Sequence, residues 1–97
     1  MMLVVVAYDV NTETEEGRKR LRRVARVCEN CGQRVQNSVF ECLVDAAQWT
    51  VLKAALCDEI KPAEDSLRFY FLGNDSRRRI EHVGAKPTFD PEGPLII

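Results

Sequence analysis

Residues 34–44, RVQNSVFECLV, decide what kind of sheet this chain can build. As a single strand, alternation sets Arg34, Gln36, Ser38, Phe40, Cys42 and Val44 on one side and Val35, Asn37, Val39, Glu41 and Leu43 on the other. Neither side is cleanly polar, so the pattern predicts partial cover on both sheet faces, with Asn37 and Glu41 keeping it mixed. The element order is then βαβαβ with a short later strand. With a break inside the stretch, or with the later strand as a fourth, the order becomes β-α-β-β-α-β.

Toward the N-terminus, residues 2–10, MLVVVAYDV, read as a buried strand that ends in Tyr8 and Asp9. A carboxylate carried to the rim of the core by a rigid strand suits metal binding or a chemical step. Asp also starts turns and caps helices, and NTETEE follows at once, so Asp9 taken alone serves either purpose. A helix then runs from about Glu15 or Arg18 to Asn30. Its apolar stripe is Leu21, Val24, Ala25 and Cys28, at i, i+3, i+4 and i+7. Gly32 supplies the stop.

Toward the C-terminus, Asp45 opens a second helix with Gln48 as its capping-box partner. Trp49, Leu52, Leu56 and Ile60 give the inward stripe, and Lys61-Pro62 ends it. Ser66 to Leu72, SLRFYFL, is a further strand in which Leu67, Phe69 and Phe71 alternate with Arg68 and Tyr70, and Gly73-Asn74-Asp75 turns the chain. Ile80, His82 and Val83 suggest the short later strand. Residues 84–97, with Pro87, Pro91 and Pro94, form an extended tail. Its terminal Leu95-Ile96-Ile97 is expected to dock on a partner protomer or another protein, because apolar residues at a chain end need cover.

Ninety-seven residues support one domain with a single core, which self-association would help. The 14 basic and 15 acidic residues nearly cancel, yet the signs are segregated. Arg18, Lys19, Arg20, Arg22, Arg23 and Arg26 fall within nine residues, and Arg77, Arg78 and Arg79 form a second run. Such clusters suit phosphate contact even at a net charge of −1. No basic leader precedes a long apolar run, and no run approaches the roughly 18 residues needed to span a bilayer, so a cytoplasmic protein without a membrane partner is expected. Cys28 and Cys31 have C-x-x-C spacing, but no second close pair joins them, and they sit near a helix C-terminus, where no dipole lowers a thiol pKa. Cys28, Cys31, Cys42 and Cys57 therefore read as reduced and mostly buried.

Tyr8-Asp9 after the first strand, the arginine-rich helix, GQRVQNSVFE at 32–41, SLRFY at 66–70, Leu72-Gly73 and HVGAKP at 82–87 together resemble the CRISPR-associated protein two family. The resemblance covers essentially the whole chain. Its specific part is the R-x-Q-x-S-V-F-E run at the right distance from a strand ending in Tyr-Asp.

The resemblance implies a ferredoxin-like α+β domain: an antiparallel sheet with two helices on one face, plus a short C-terminal strand, dimerising through its bare sheet face. It implies a role in spacer acquisition beside the CRISPR integrase, and metal-dependent endonuclease activity on RNA or double-stranded DNA. In that scheme the Asp9 of each protomer shares one Mg²⁺ (or Mn²⁺) across the two-fold axis. Two close carboxylates repel, and a hard cation between them relieves that cost while leaving positions for water and phosphate. Tyr8 accompanies Asp9 as a catalytic residue, read as a packed aromatic whose hydroxyl orients a neighbour; Ser38 and Phe40 belong to the family motif; and Glu41 or His82 is a candidate for a second ligand or base, with His82 read first as structural. Arg18, Arg20, Arg22, Arg23, Arg26, Arg34, Arg77 and Arg78 are the expected phosphate contacts. The competing expectation is an architectural DNA-binding dimer that bridges integrase subunits without chemistry of its own.

Overall fold

In the computed structural model, which describes residues 1–74 and 79–84, Asn37 and Ser38 form a turn that divides the 34–44 stretch. The elements are therefore β1 (Met2–Asp9), α1 (Glu15–Glu29), β2 (Gly32–Gln36), β3 (Val39–Val44), α2 (Ala46–Glu59) and β4 (Ser66–Gly73). The strands lie in the order β2-β3-β1-β4 and every neighbouring pair is antiparallel. This is the ferredoxin-like β-α-β-β-α-β arrangement. A single strand over 34–44 does not form, because Asn and Ser are turn formers and the Asn37 carbonyl is tied down by two side-chain donors, Tyr8 and Arg34.

Local signals set the helix starts. Thr14 caps α1, its hydroxyl accepting from the Gly17 N–H at 3.1 Å. Asp45 and Gln48 form the reciprocal capping box of α2, with bonds of 2.7 and 2.8 Å. Both helices cover one face of the sheet, and alternate strand residues point into the core between the layers. Val4, Val6 and Tyr8 of β1 meet Phe40, Cys42 and Val44 of β3, Val24 and Cys28 of α1, and Leu52 and Leu56 of α2. Burying side chains such as Phe40, Leu52 and Leu56 contributes about 1.5–3 kcal/mol each. Trp49 closes the α2 end of the core edge-on against Phe69 and Phe71, with centroids 4.8 and 5.3 Å apart.

The face away from the helices carries Val5, Ala7, Val39 and Leu43, all half-buried, with Tyr70 beside them, 46% exposed. Residues 79–84 do not join the sheet, so the short strand expected at Ile80 to Val83 is not formed there. Gly73, at φ 76°, turns the chain off β4, and Val83 is 88% exposed, unpaired with either edge of the sheet. Arg77, Arg78 and the tail beyond Gly84 lie outside the described residues.

Candidate functional site

Alternation along β1 sends the Tyr8 side chain into the core and Asp9 to the open face, where it is exposed. Across the β1–β4 ladder Asp9 stands opposite Ser66, and Ala7 stands opposite Arg68 on one side and Val39 on the other. The end of β1 is held from behind. The buried Asp65 carboxylate accepts from the Asn11 N–H at 3.0 Å, from the Lys61 N–H at 2.8 Å, and from Arg20 Nε and Nη2 at 2.9 and 3.3 Å. One acid thereby ties the β1–α1 loop, helix α1 and the entry to β4 together. The hydrogen bonds from Arg20, aided by those backbone donors, hold its pKa down at about 2 against the opposing effect of burial. Gly17 completes the clamp: a Cβ there would lie 1.8 Å from the Asn11 carbonyl oxygen, so only glycine lets the loop pack on the helix start.

A second cluster lies on the helix-covered face. The Tyr8 hydroxyl donates to the Asn37 carbonyl at 3.3 Å, and Arg34 Nη1 donates to the same oxygen at 3.0 Å. Arg34 also stacks over Phe40, 5.0 Å from the ring centroid, and pairs with Glu29 at 2.9 Å. Ser38 adds its carbonyl as acceptor for the Tyr8 N–H at 3.0 Å. Tyr8, Arg34, Ser38 and Phe40 thus brace the β2–β3 turn against β1. Tyr8, only 6% exposed and with its hydroxyl pKa raised mainly by burial, is not brought together with Asp9.

The basic helix divides into two groups. Arg20 is buried by its bonds to Asp65, and Arg23 is paired with Glu59 at 2.8 Å. Arg18 reaches the Thr12 carbonyl at 3.1 Å but stays exposed, and Arg22 and Arg26 are exposed with no ion pair among the described residues. Arg18, Arg22 and Arg26, four apart, run along one side of α1.

Glu41 shares the open face with Asp9, and burial raises its carboxyl pKa while nearby His82 pulls it down. Glu41 faces Val5, four residues along β1 from Asp9, which is about 13 Å of strand. Within one protomer the two acids therefore do not reach one ion. No group of three or more potential metal ligands occurs among the described residues. What Asp9 offers is a hard, exposed carboxylate with a hydroxyl across the ladder, a donor type suited to a cation such as Mg²⁺ but only part of a shell. Cys28 and Cys42 are buried, with thiols pushed up to about 12 by burial, whereas Cys31 and Cys57 are exposed; only half of the thiols meet the expectation of burial.

Sequence reasoning missed Asp65, whose partners come from three separate segments. It also passed over Arg68, although alternation in SLRFYFL already set that residue apart from Leu67 and Phe69.

Residues 2–80 match the family described as CRISPR associated protein Cas2. The chain is 62% identical over 96 residues to a CRISPR-associated endoribonuclease Cas2 of Chlorobaculum tepidum, covering 99% of this chain and 100% of that one. It is 57% identical over 95 residues to a CRISPR-associated endonuclease Cas2 of Halalkalibacterium halodurans, covering 98% and 99%. Among solved structures, Streptococcus pyogenes Cas2 at pH 6.5 is similar with a TM-score of 0.76 and 55% identity, over 86% of this chain and 100% of that one. A chain of a partial Cas6-RT-Cas1–Cas2 complex is similar with a TM-score of 0.66 and 28% identity, over 86% and 90%.

Proposed function

Because the chain belongs to the CRISPR-associated Cas2 family, we propose that it serves CRISPR adaptation as a homodimeric, nucleic-acid-binding endonuclease that depends on a divalent metal and cuts RNA or DNA. The observation that carries this reading is the strand-end Asp9, exposed on the open face and braced from behind by Asp65 and Gly17. The half-buried apolar patch of Val5, Ala7, Val39 and Leu43 on the same face is the surface on which a second copy would pack, bringing the two Asp9 carboxylates together. Asp9 of each protomer would hold Mg²⁺ or Mn²⁺, which when bound supplies a Lewis acid and an acidified water. The chain's own residues position the carboxylate, keep the strand end rigid and present a phosphate-binding surface. Tyr8 is a positioning residue in this scheme, acting through the β2–β3 turn. Replacing Asp9 by Ala tests it: cleavage in a Mg²⁺ titration is lost, and an unchanged rate removes the assignment.

A second reading is favoured by the placement of the exposed Arg18, Arg22 and Arg26 on a helix that packs against the opposite sheet face from Asp9. Here the dimer is an architectural DNA-binding element that bridges subunits of the CRISPR integrase, consistent with the likeness to a chain of a Cas1–Cas2 complex. The tail to Ile97 docks on the partner protomer or on that integrase. Spacer acquisition is then reduced by replacing the three arginines or deleting residues 94–97, and unchanged acquisition in both variants removes this reading.

A further inference from the structure

We propose that Arg68 binds the scissile phosphate beside Asp9, an inference that rests on the endonuclease reading above. The expected phosphate contacts are all elsewhere among the described residues: α1 packs on the other face of the sheet, and Arg34 lies there over Phe40. Nucleic acid tracked by Arg22 and Arg26 therefore meets a different surface from the one that carries Asp9. A phosphodiester brought to Asp9 needs a positive group on the open face itself. Among the described residues, Arg68 is the one arginine or lysine that the strands place there.

Its position fits that task. Arg68 faces Ala7 across the ladder, with Ser66 opposite Asp9, so Arg68 is the diagonal neighbour of Asp9 at a Cα separation of about 7–8 Å. The two charges do not cancel each other. No ion pair joins them or binds Arg68 to any other described carboxylate, and Arg68 Nη1 instead donates to the Tyr70 hydroxyl at 3.2 Å. A neutral hydroxyl orients the guanidinium while leaving its charge in place. Within one protomer Arg68 is exposed and Tyr70 is 46% exposed, so none of the described residues of the same chain covers the fork. A planar guanidinium matches two phosphate oxygens, which an ammonium on a flexible stem does not. Asp9 would hold the cation, and the arginine beside it would hold the phosphate.

The test uses the full-length protein and the variants Arg68→Gln, Arg68→Lys and Asp9→Asn, each checked for an unchanged thermal midpoint. Binding to a 20-nucleotide RNA and to a DNA duplex is measured by fluorescence anisotropy in EDTA across a salt series, and cleavage is measured in single turnover with Mn²⁺. Arg68→Gln is expected to lower the slope of log affinity against log salt by about one and to slow cleavage by about 100-fold or more on the cleaved substrate. Arg68→Lys is expected to restore the slope but not the rate, because it keeps the charge and loses the fork. If Asp9→Asn is inactive while Arg68→Gln keeps both slope and rate, the phosphate assignment is wrong and the endonuclease reading stands. If Asp9→Asn cleaves like the parent, the site itself is wrong, and the assignment of Arg68 to a scissile phosphate falls with it.

Discussion

Arg20 and Asp65, 45 residues apart in sequence, form a two-pronged buried ion pair with bonds of 2.9 and 3.3 Å. Arg20 belongs to the run of cations that suggests phosphate contact, yet its charge is consumed inside the protein. The same carboxylate holds the Asn11 N–H, two residues beyond Asp9, so the pair that removes Arg20 from the surface also fixes the strand end that presents Asp9. Removing either partner leaves a buried charge or buried donors unsatisfied. Asp65→Asn and Arg20→Ala are therefore expected to lower the thermal midpoint more than any replacement of an exposed arginine. Circular-dichroism melts of these variants beside Arg22→Ala check this, with Arg22→Ala within about 0.5 kcal/mol of the parent.

The pH dependence follows from the same residue. The folded pKa of Asp65, about 2, lies below that of the unfolded chain, so between those values the unfolded state binds more protons. The stabilisation from Asp65 is complete above about pH 4 and is lost as pH falls through about 2. Urea unfolding from pH 5 to 2 is expected to show a steeper loss of stability in the parent than in Asp65→Asn.

Tyr8 allows a sharp distinction between positioning and chemistry. Tyr8→Phe removes one hydrogen bond to the Asn37 carbonyl, which still accepts from Arg34. The expected cost is about 0.5–1.5 kcal/mol of stability, with cleavage within about threefold of the parent. A proton-transfer role for Tyr8 would instead cost a factor of about 100 or more. Unfolding and single-turnover cleavage of this one variant separate the two.

The division of α1 predicts unequal arginines. Alanine at Arg18, Arg22 or Arg26 is expected to lower the salt slope of nucleic-acid binding by about one per residue that contacts phosphate. Arg23→Ala changes it less, because Glu59 already holds that guanidinium. A salt titration of the single variants decides the ranking.

The architecture was readable from the sequence wherever the determining signal is local. The Asp45–Gln48 capping box and the α2 stripe of Trp49, Leu52, Leu56 and Ile60 lie within one segment, and the structure keeps both. The run MLVVVAYDV likewise reads locally as a strand ending in Tyr8 and Asp9, and β1 ends there. Less legible was what depends on residues distant in sequence. Alternation passes through Asn37 and Ser38 without a visible interruption, and the turn is held there by Tyr8 from another strand. The partners of Arg20 and Arg23, Asp65 and Glu59, lie 45 and 36 residues further along the chain, so a run of cations could not reveal which charges remain free. The dimeric half of the Asp9 site is expected on a second copy of the chain, and no pattern within one chain records its geometry.

The most direct measurement is divalent-metal-dependent cleavage of single-stranded RNA and double-stranded DNA by the purified parent and by Asp9→Ala, matched for fold and oligomeric state. The parent is expected to cut one of these substrates, and Asp9→Ala to cut it at least about 100-fold more slowly while still binding it. Equal cleavage by the two proteins would contradict the Asp9 assignment.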